Sequence, residues 1–123
     1  MNLNQVTMSV VNMDEAKAFY QLLGFNLIVD TPHYTRFECP DGDATFSLSL
    51  SDGPIGTGTV VYFEHPELDL WVAKLQAAGL QFESPPEDHT YLWREAVLLD
   101  PSGNKLKLYW AGENRKNPPW RVN

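Results

Sequence analysis

Displacing the sequence on itself by 55 residues brings Asp14 onto Asp69, Ala18 onto Ala73, Gln21 onto Gln76 and Gly24 onto Gly79. Apolar Phe25 falls on Leu80 and Leu27 on Phe82 in the same alignment. Few residues are identical, but the hydrophobic pattern beneath them repeats: an alternating strand, a short amphipathic helix, a glycine, then more strands. A chain with this duplication must build one small unit twice.

In the first copy, Leu3–Val11 alternates, with Val6, Met8 and Val10 on one face and Gln5, Thr7 and Ser9 on the other, as in a half-buried strand. Asn12 precedes Glu15 by three residues, the spacing of a helix-opening capping box. Ala16, Phe19, Tyr20 and Leu23 then form one apolar stripe, and Gly24 can take the left-handed conformation that ends many helices. In the second copy Val61 and Phe63 alternate with Val60, Tyr62 and Glu64. Pro66 suits a first helical position, and Leu68, Trp71, Val72, Leu75 and Ala78 form a stripe in which Trp71 reads as core. Gly79 closes that helix.

Three strands are predicted after each helix, near Phe25–Asp30, Tyr34–Cys39 and Ala44–Leu50, then near Leu80–Glu83, Ala96–Leu99 and Lys105–Trp110, with much of 84–94 as loop. Asp100-Pro101-Ser102-Gly103-Asn104 is a strong turn signal between the last two. The fold class is therefore α+β: two βαβββ modules, about 3–50 and 58–110, related by a pseudo-two-fold axis. Residues 51–57 form the linker and 111–123 the tail of a single domain. The sheets are expected to curl into an open cup with the helices outside.

Charge narrows the function. The net charge is −7. Residues 1–104 hold four basic against fifteen acidic side chains, whereas the last nineteen residues hold five basic and one acidic. So acidic a body repels phosphate backbones, which argues against nucleic acid. The tail, with Arg115, Lys116 and Arg121 beside Pro118, Pro119 and Trp120, is expected to dock across a subunit surface and largely bury Trp120. No apolar run approaches the roughly 20 residues of a membrane span. The start lacks a secretory signal, and one cysteine, Cys39, excludes an internal disulfide, so a reducing cytoplasm is expected. Cys39 reads as an inert strand-end thiol. His33, His65 and His89 all fall at strand ends or in loops.

The segment Val6–Asp14 with Ala18–Phe25, and the closing Asp100-Pro101-Ser102-Gly103-Asn104-Lys105-Leu106-Lys107-Leu108-Tyr109, resemble the opening and closing motifs of the vicinal oxygen chelate superfamily. This group comprises glyoxalases, extradiol dioxygenases and bleomycin-resistance proteins, and the resemblance is nearest to its metal-free, bleomycin-resistance-like members. It implies a homodimer and, in the enzymes, a divalent ion held by first-strand and last-strand residues of each module. Carried over, those positions are Gln5, Ser47, Val60 and Lys107. Val60 has no ligand atom, and Lys107 puts a cation where the ion belongs. At about 4 Å and an effective dielectric near 20 that repulsion is roughly 4 kcal/mol. No metal or other cofactor is expected.

By strand parity Gln5, Thr7, Ser47, Ser49, Tyr62, Glu64, Lys107 and Tyr109 face the cup, and the resemblance adds Trp93 and Arg94 near its mouth. Aromatics with a few charges suit an organic ligand with a flat apolar part. The leading expectation is metal-independent sequestration of a small organic molecule, with no catalytic residues. Two alternatives stay open: a glyoxalase-like lyase or dioxygenase using an atypical metal or an acid–base pair such as Glu64 with Lys107, and a structural or regulatory dimer without ligand. The acidic body favours a cationic ligand, Lys107 and Arg94 an anionic or carbonyl group, and the sequence leaves the choice undecided.

Overall fold

The computed structural model describes every residue except Met1, Thr57 and Asn123; Thr57, the last residue of the expected linker, thus lies outside the described residues. In chain order the elements are β1 (Gln5–Val10), α1 (Met13–Leu23), β2 (Asn26–Asp30), β3 (Tyr34–Glu38), β4 (Thr45–Leu50), β5 (Val61–Glu64), α2 (Leu68–Ala77), β6 (Ser84–Asp88), β7 (Arg94–Leu99) and β8 (Lys105–Trp110), followed by a single 3-10 turn at Gly112–Arg115. This is the α+β arrangement of two βαβββ modules. The strands form two four-stranded mixed sheets, ordered β1-β4-β3-β2 and β5-β8-β7-β6. In each, the first and last strands of the module lie parallel at one side and the remaining neighbours are antiparallel.

The chain divides into two compact units, residues 1–58 with Asp100–Asn104, and residues 59–99 with 105–123. In the first, Asn12 Oδ1 accepts the Glu15 N–H at 3.0 Å and opens α1. Gly24, at φ 113°, closes it: its N–H reaches the Gln21 carbonyl, and Phe25 N–H reaches the Tyr20 carbonyl. The helix buries Ala16, Phe19, Tyr20 and Leu23 on the apolar face formed by Val10, Phe37, Phe46 and Leu48. Tyr20 meets Phe46 at 4.8 Å between ring centres and Phe37 at 6.1 Å. The turn after β7 is held by Asp100, whose Oδ1 accepts from the N–H groups of Ser102 and Asn104 at 2.9 and 2.8 Å. Its Oδ2 accepts the buried Tyr20 hydroxyl at 2.7 Å. Ser102 Oγ accepts the Val11 N–H, and the Asn104 amide donates to the Ser9 carbonyl.

In the second unit the same closing wrap recurs 55 positions on. Gly79 N–H bonds the Gln76 carbonyl and Leu80 N–H the Leu75 carbonyl. Leu68, Val72 and Leu75 are buried where α2 packs on the sheet, as are Ala96, Leu98, Leu106 and Leu108 of its strands. Here the sequence reading needs four corrections. Helix α2 begins at Leu68, not at Pro66, which sits in the turn where Glu67 N–H donates to His65 Nδ1 at 3.0 Å. Trp71 is only half-buried, stacked on His65 at 5.1 Å, and Ala78 is exposed. Leu80–Glu83 is not a strand; the strand is Ser84–Asp88, through Pro85 and Pro86. It lies at the sheet edge and slips register between Ser84 and Glu87, which is where prolines are tolerated because no ladder donor is needed. Finally, β7 starts at Arg94, two residues before the expected Ala96.

Candidate functional site

Each sheet buries one face under its helix and carries polar groups on the other. In the first unit the register places Thr7 beside Ser47 and Ser47 beside Arg36, with Gln5 beside Thr45 and Ser49 beside Tyr34. Gln5 Nε2 donates to Ser47 Oγ at 2.7 Å and to Thr7 Oγ1 at 3.3 Å, while its Oε1 accepts the Thr45 hydroxyl. Ser47, fully buried, also shares a 2.7 Å hydrogen bond with the Tyr34 hydroxyl, which accepts from Arg36 Nε at 3.0 Å. The bonds to Ser47 and Arg36 hold the Tyr34 phenol below its ordinary pKa. Tyr34 and Arg36 carry no sequence signal for this role, because only the pairing of β3 with β4 sets them beside Ser47 and Ser49.

In the second unit Tyr62 lies beside Lys107, Glu64 beside Tyr109, and Tyr109 beside Glu95. This face is aromatic. Tyr62 meets Tyr109 edge-on at 5.5 Å and Trp93 edge-on at 5.8 Å, and Trp93 stacks on Tyr109 at 4.7 Å. Tyr91 meets Trp93 edge-on at 6.2 Å and stacks on His89 at 4.9 Å. Beneath the rings the Lys107 ammonium lies 3.2 Å from Glu95 Oε2 and 5.5 Å from the Tyr62 ring centre. Glu95, with 1% of its side chain exposed, accepts the Tyr91 hydroxyl on Oε1; Oε2 has the ion pair but no hydrogen bond among the described residues. Burial pulls the Lys107 pKa down, but the Glu95 carboxylate and Tyr62 outweigh it and the net shift is upward. The Tyr91 phenol is pushed up to about 12, by desolvation first and then by Glu95.

Two expected site residues take other roles. Arg94 lies on the opposite face of β7 from Glu95, with Nε and Nη2 on Asp69 of α2 at 2.9 and 3.0 Å and Nη1 on Asp88 at 3.1 Å. Strand alternation dictates this, since neighbours Arg94 and Glu95 cannot face the same way. Glu64 does not partner Lys107. Its Oε2 accepts the N–H groups of Ala111 and Gly112, each at 3.0 Å, and its Oε1 lies 3.6 Å from Arg115 Nε. An acid–base pair of Glu64 with Lys107 therefore has no geometric basis.

The tail folds back on its own unit. Trp93 Nε1 donates to the Asn114 carbonyl at 3.4 Å, and a cavity of about 360 Å³ opens between Tyr62, Tyr91, Trp93 and Glu95 on one side and Asn114, Arg115, Pro118 and Trp120 on the other. Within its own unit Trp120 is 57% exposed and forms part of the cavity wall, so the expected burial is not supplied by this chain alone. Tyr91, Glu95 and Asn114 were missed from sequence. For Tyr91 and Glu95 the local signal is the density of aromatic and polar residues in Thr90–Glu95; Asn114 carries none.

The resemblance to metal-binding relatives can be tested on donor chemistry. In the first unit the Gln5 oxygen and the Ser47 hydroxyl are both engaged in side-chain hydrogen bonds. In the second, Val60 offers no donor and Lys107 is a paired cation. These residues do not fit a divalent ion, and among the described residues no group of three or more His, Cys, Asp or Glu is placed to hold one.

Comparison with known proteins agrees with this architecture. A protein of Mycolicibacterium smegmatis (strain ATCC 700084 / mc(2)155), itself uncharacterized, is 31% identical over 109 residues, covering 87% of this chain and 91% of that protein. A glyoxalase/bleomycin resistance protein/dioxygenase from Nocardioides superposes with a TM-score of 0.78 at 20% identity, covering all of this chain and 90% of its own. TnmS3, an antibiotic binding protein from Streptomyces sp. CB03234, gives 0.76 at 22% identity, covering 90% and 96%. Residues 2–108 match the profile of the Glyoxalase/Bleomycin resistance protein/Dioxygenase superfamily, and the chain belongs to that superfamily.

Proposed function

We propose that this protein binds a small organic molecule with a flat apolar part, without a metal and without breaking a bond. The observation that carries the reading is the aromatic lining of Tyr62, Tyr91 and Trp93, with Trp120 opposite, around a cavity of about 360 Å³, within the usual range for small-molecule sites. Tyr62 and Tyr91 each meet Trp93 edge-on, so the lining offers differently oriented rings to a planar guest. The groups that acid–base chemistry would use are already committed: Glu95 to Lys107 and Tyr91, and Glu64 to the start of the tail. Antibiotic binding by TnmS3 is consistent with such a role on this fold, though a fold hosts many functions.

The test is tryptophan quenching and thermal shift with planar tricyclic probes: acridone (neutral), proflavine (cationic) and anthracenecarboxylate (anionic). At about 100 times its dissociation constant a probe adds about 2.7 kcal/mol to stability. Saturable binding that survives exhaustive chelation supports the proposal, and Trp93→Ala is expected to weaken it at least tenfold. Failure of all three probes, or binding that depends on an added divalent ion, overturns it. The same reading takes the protein as a homodimer, on the family resemblance, so sedimentation equilibrium should give twice the chain mass of 14.0 kDa.

A further inference from the structure

The family match ends at residue 108, yet half of the residues lining the aromatic cavity come from beyond it: Asn114, Arg115, Pro118 and Trp120. The tail is anchored where it leaves β8. Glu64 accepts the Ala111 and Gly112 N–H groups, Arg115 pairs with Glu64, and the Asn114 carbonyl accepts the Trp93 indole. Gly112 is the residue this path requires. At φ 58° it sits in the left-handed region, and a Cβ there would meet the Trp110 ring at 3.0 Å. Pro118 and Pro119 then stiffen the last stretch, so Trp120 reaches the cavity at small entropic cost.

The cavity's charges cancel locally. Glu95 is paired with Lys107 and Arg115 with Glu64, so no unpaired formal charge lines the aromatic wall among the described residues. A charged guest would give up its hydration without gaining a free counter-ion, whereas a neutral one loses nothing comparable. The exposed face of Trp120 and the side-chain amide of Asn114, which makes no hydrogen bond among the described residues, remain available to a guest.

From these observations, and resting on the binding reading above, we infer that the C-terminal tail is the second wall of the ligand site. Through Trp120 and Asn114 it selects uncharged planar aromatics that carry a hydrogen-bonding group. The tail thus acts as the specificity element of this site.

The test uses fluorescence anisotropy of acridone on the full chain, on a chain ending at Asn117, and on Trp120→Ala. Ending at Asn117 removes Pro118 and Trp120 but keeps the Glu64 and Trp93 anchors. Both variants are expected to melt within a few degrees of the full chain and to bind acridone at least tenfold more weakly. Proflavine and anthracenecarboxylate are each expected to bind the full chain at least tenfold more weakly than acridone. Unchanged acridone affinity in the truncated chain and in Trp120→Ala overturns the role of the tail while leaving the binding reading intact. A charged probe that binds as tightly as acridone overturns the selection for neutral guests. Absence of binding by the full chain to all three probes defeats the binding reading itself, and is separated from the other outcomes because it needs no variant.

Discussion

At the level of single residues, the buried pair of Lys107 and Glu95 governs the second unit. Glu95 is almost wholly enclosed and Lys107 is 23% exposed, so removing the ammonium leaves a buried carboxylate with only the Tyr91 hydroxyl. Lys107→Met is expected to destabilise the protein by about 2–4 kcal/mol, the lower side of the range for broken buried pairs because Lys107 keeps some solvent. The Lys107→Met/Glu95→Leu double variant should recover most of that loss, as chemical denaturation will show. The same cluster sets an alkaline limit. Tyr91 and Lys107 both have folded pKa values above their unfolded ones, so their contribution is complete below about pH 10 and fades as pH rises. For Tyr91 the loss runs up to about pH 12. Denaturant midpoints measured from pH 9 upward should fall, and Tyr91→Phe should flatten part of that fall. Leu92, between Tyr91 and Trp93, holds φ 66° without being glycine. Relief of this strain in Leu92→Asn is expected to raise stability by about 0.5–1 kcal/mol.

Among the elements, the first helix and the closing turn depend on one buried hydrogen bond. The Tyr20 hydroxyl donates to Asp100 Oδ2, and burial together with the Asp100 carboxylate drives the phenol pKa far above its ordinary value. Tyr20→Phe leaves Asp100 with its three bonds to the Ser102 and Asn104 backbone and the Asn104 amide. The loss should be about 1.5–3 kcal/mol, as for a hydrogen bond to a charged acceptor, read from urea midpoints at an unchanged m-value. The tail has its own hinge in Gly112. In Gly112→Ala the new methyl meets Trp110 in a left-handed backbone, so the 3-10 turn should shift and proteolysis beyond residue 111 should accelerate. The core of each sheet, which lies before that point, should keep its hydrogen-exchange protection.

For the molecule as a whole, the duplication is carried by backbone geometry more than by side-chain identity. Each unit repeats the parallel pairing of its first and last strands and the same helix-closing wrap at Gly24 and Gly79. The polar faces have diverged. The first carries a hydrogen-bonded network of Gln5, Thr7, Ser47, Tyr34 and Arg36, and the second carries stacked aromatics over an ion pair. The core constrains only the faces under the helices, which leaves the other faces free to differ. No helix among the described residues is long and apolar enough to cross a membrane.

Much of the fold was legible from residue order, because periodicity and capping are local. The alternation of Val6, Met8 and Val10, Asn12 before Glu15, and the Asp100–Asn104 turn each act over a few neighbouring residues. Parity likewise put Tyr62, Lys107 and Tyr109 on one face. Where the local signal conflicted with a tertiary one, the reading failed: Pro85 and Pro86 argue against a strand until an edge position excuses them. The partners of the site belong wholly to tertiary structure. Nothing in the order of residues says that Lys107 meets Glu95 and not Glu64, that Arg94 is taken by Asp69, or that Asn114 and Trp120 return to the aromatic wall. Such choices follow from strand register and chain reversal between residues far apart in sequence, and pairing a buried charge is decided by whichever partner that geometry brings within reach.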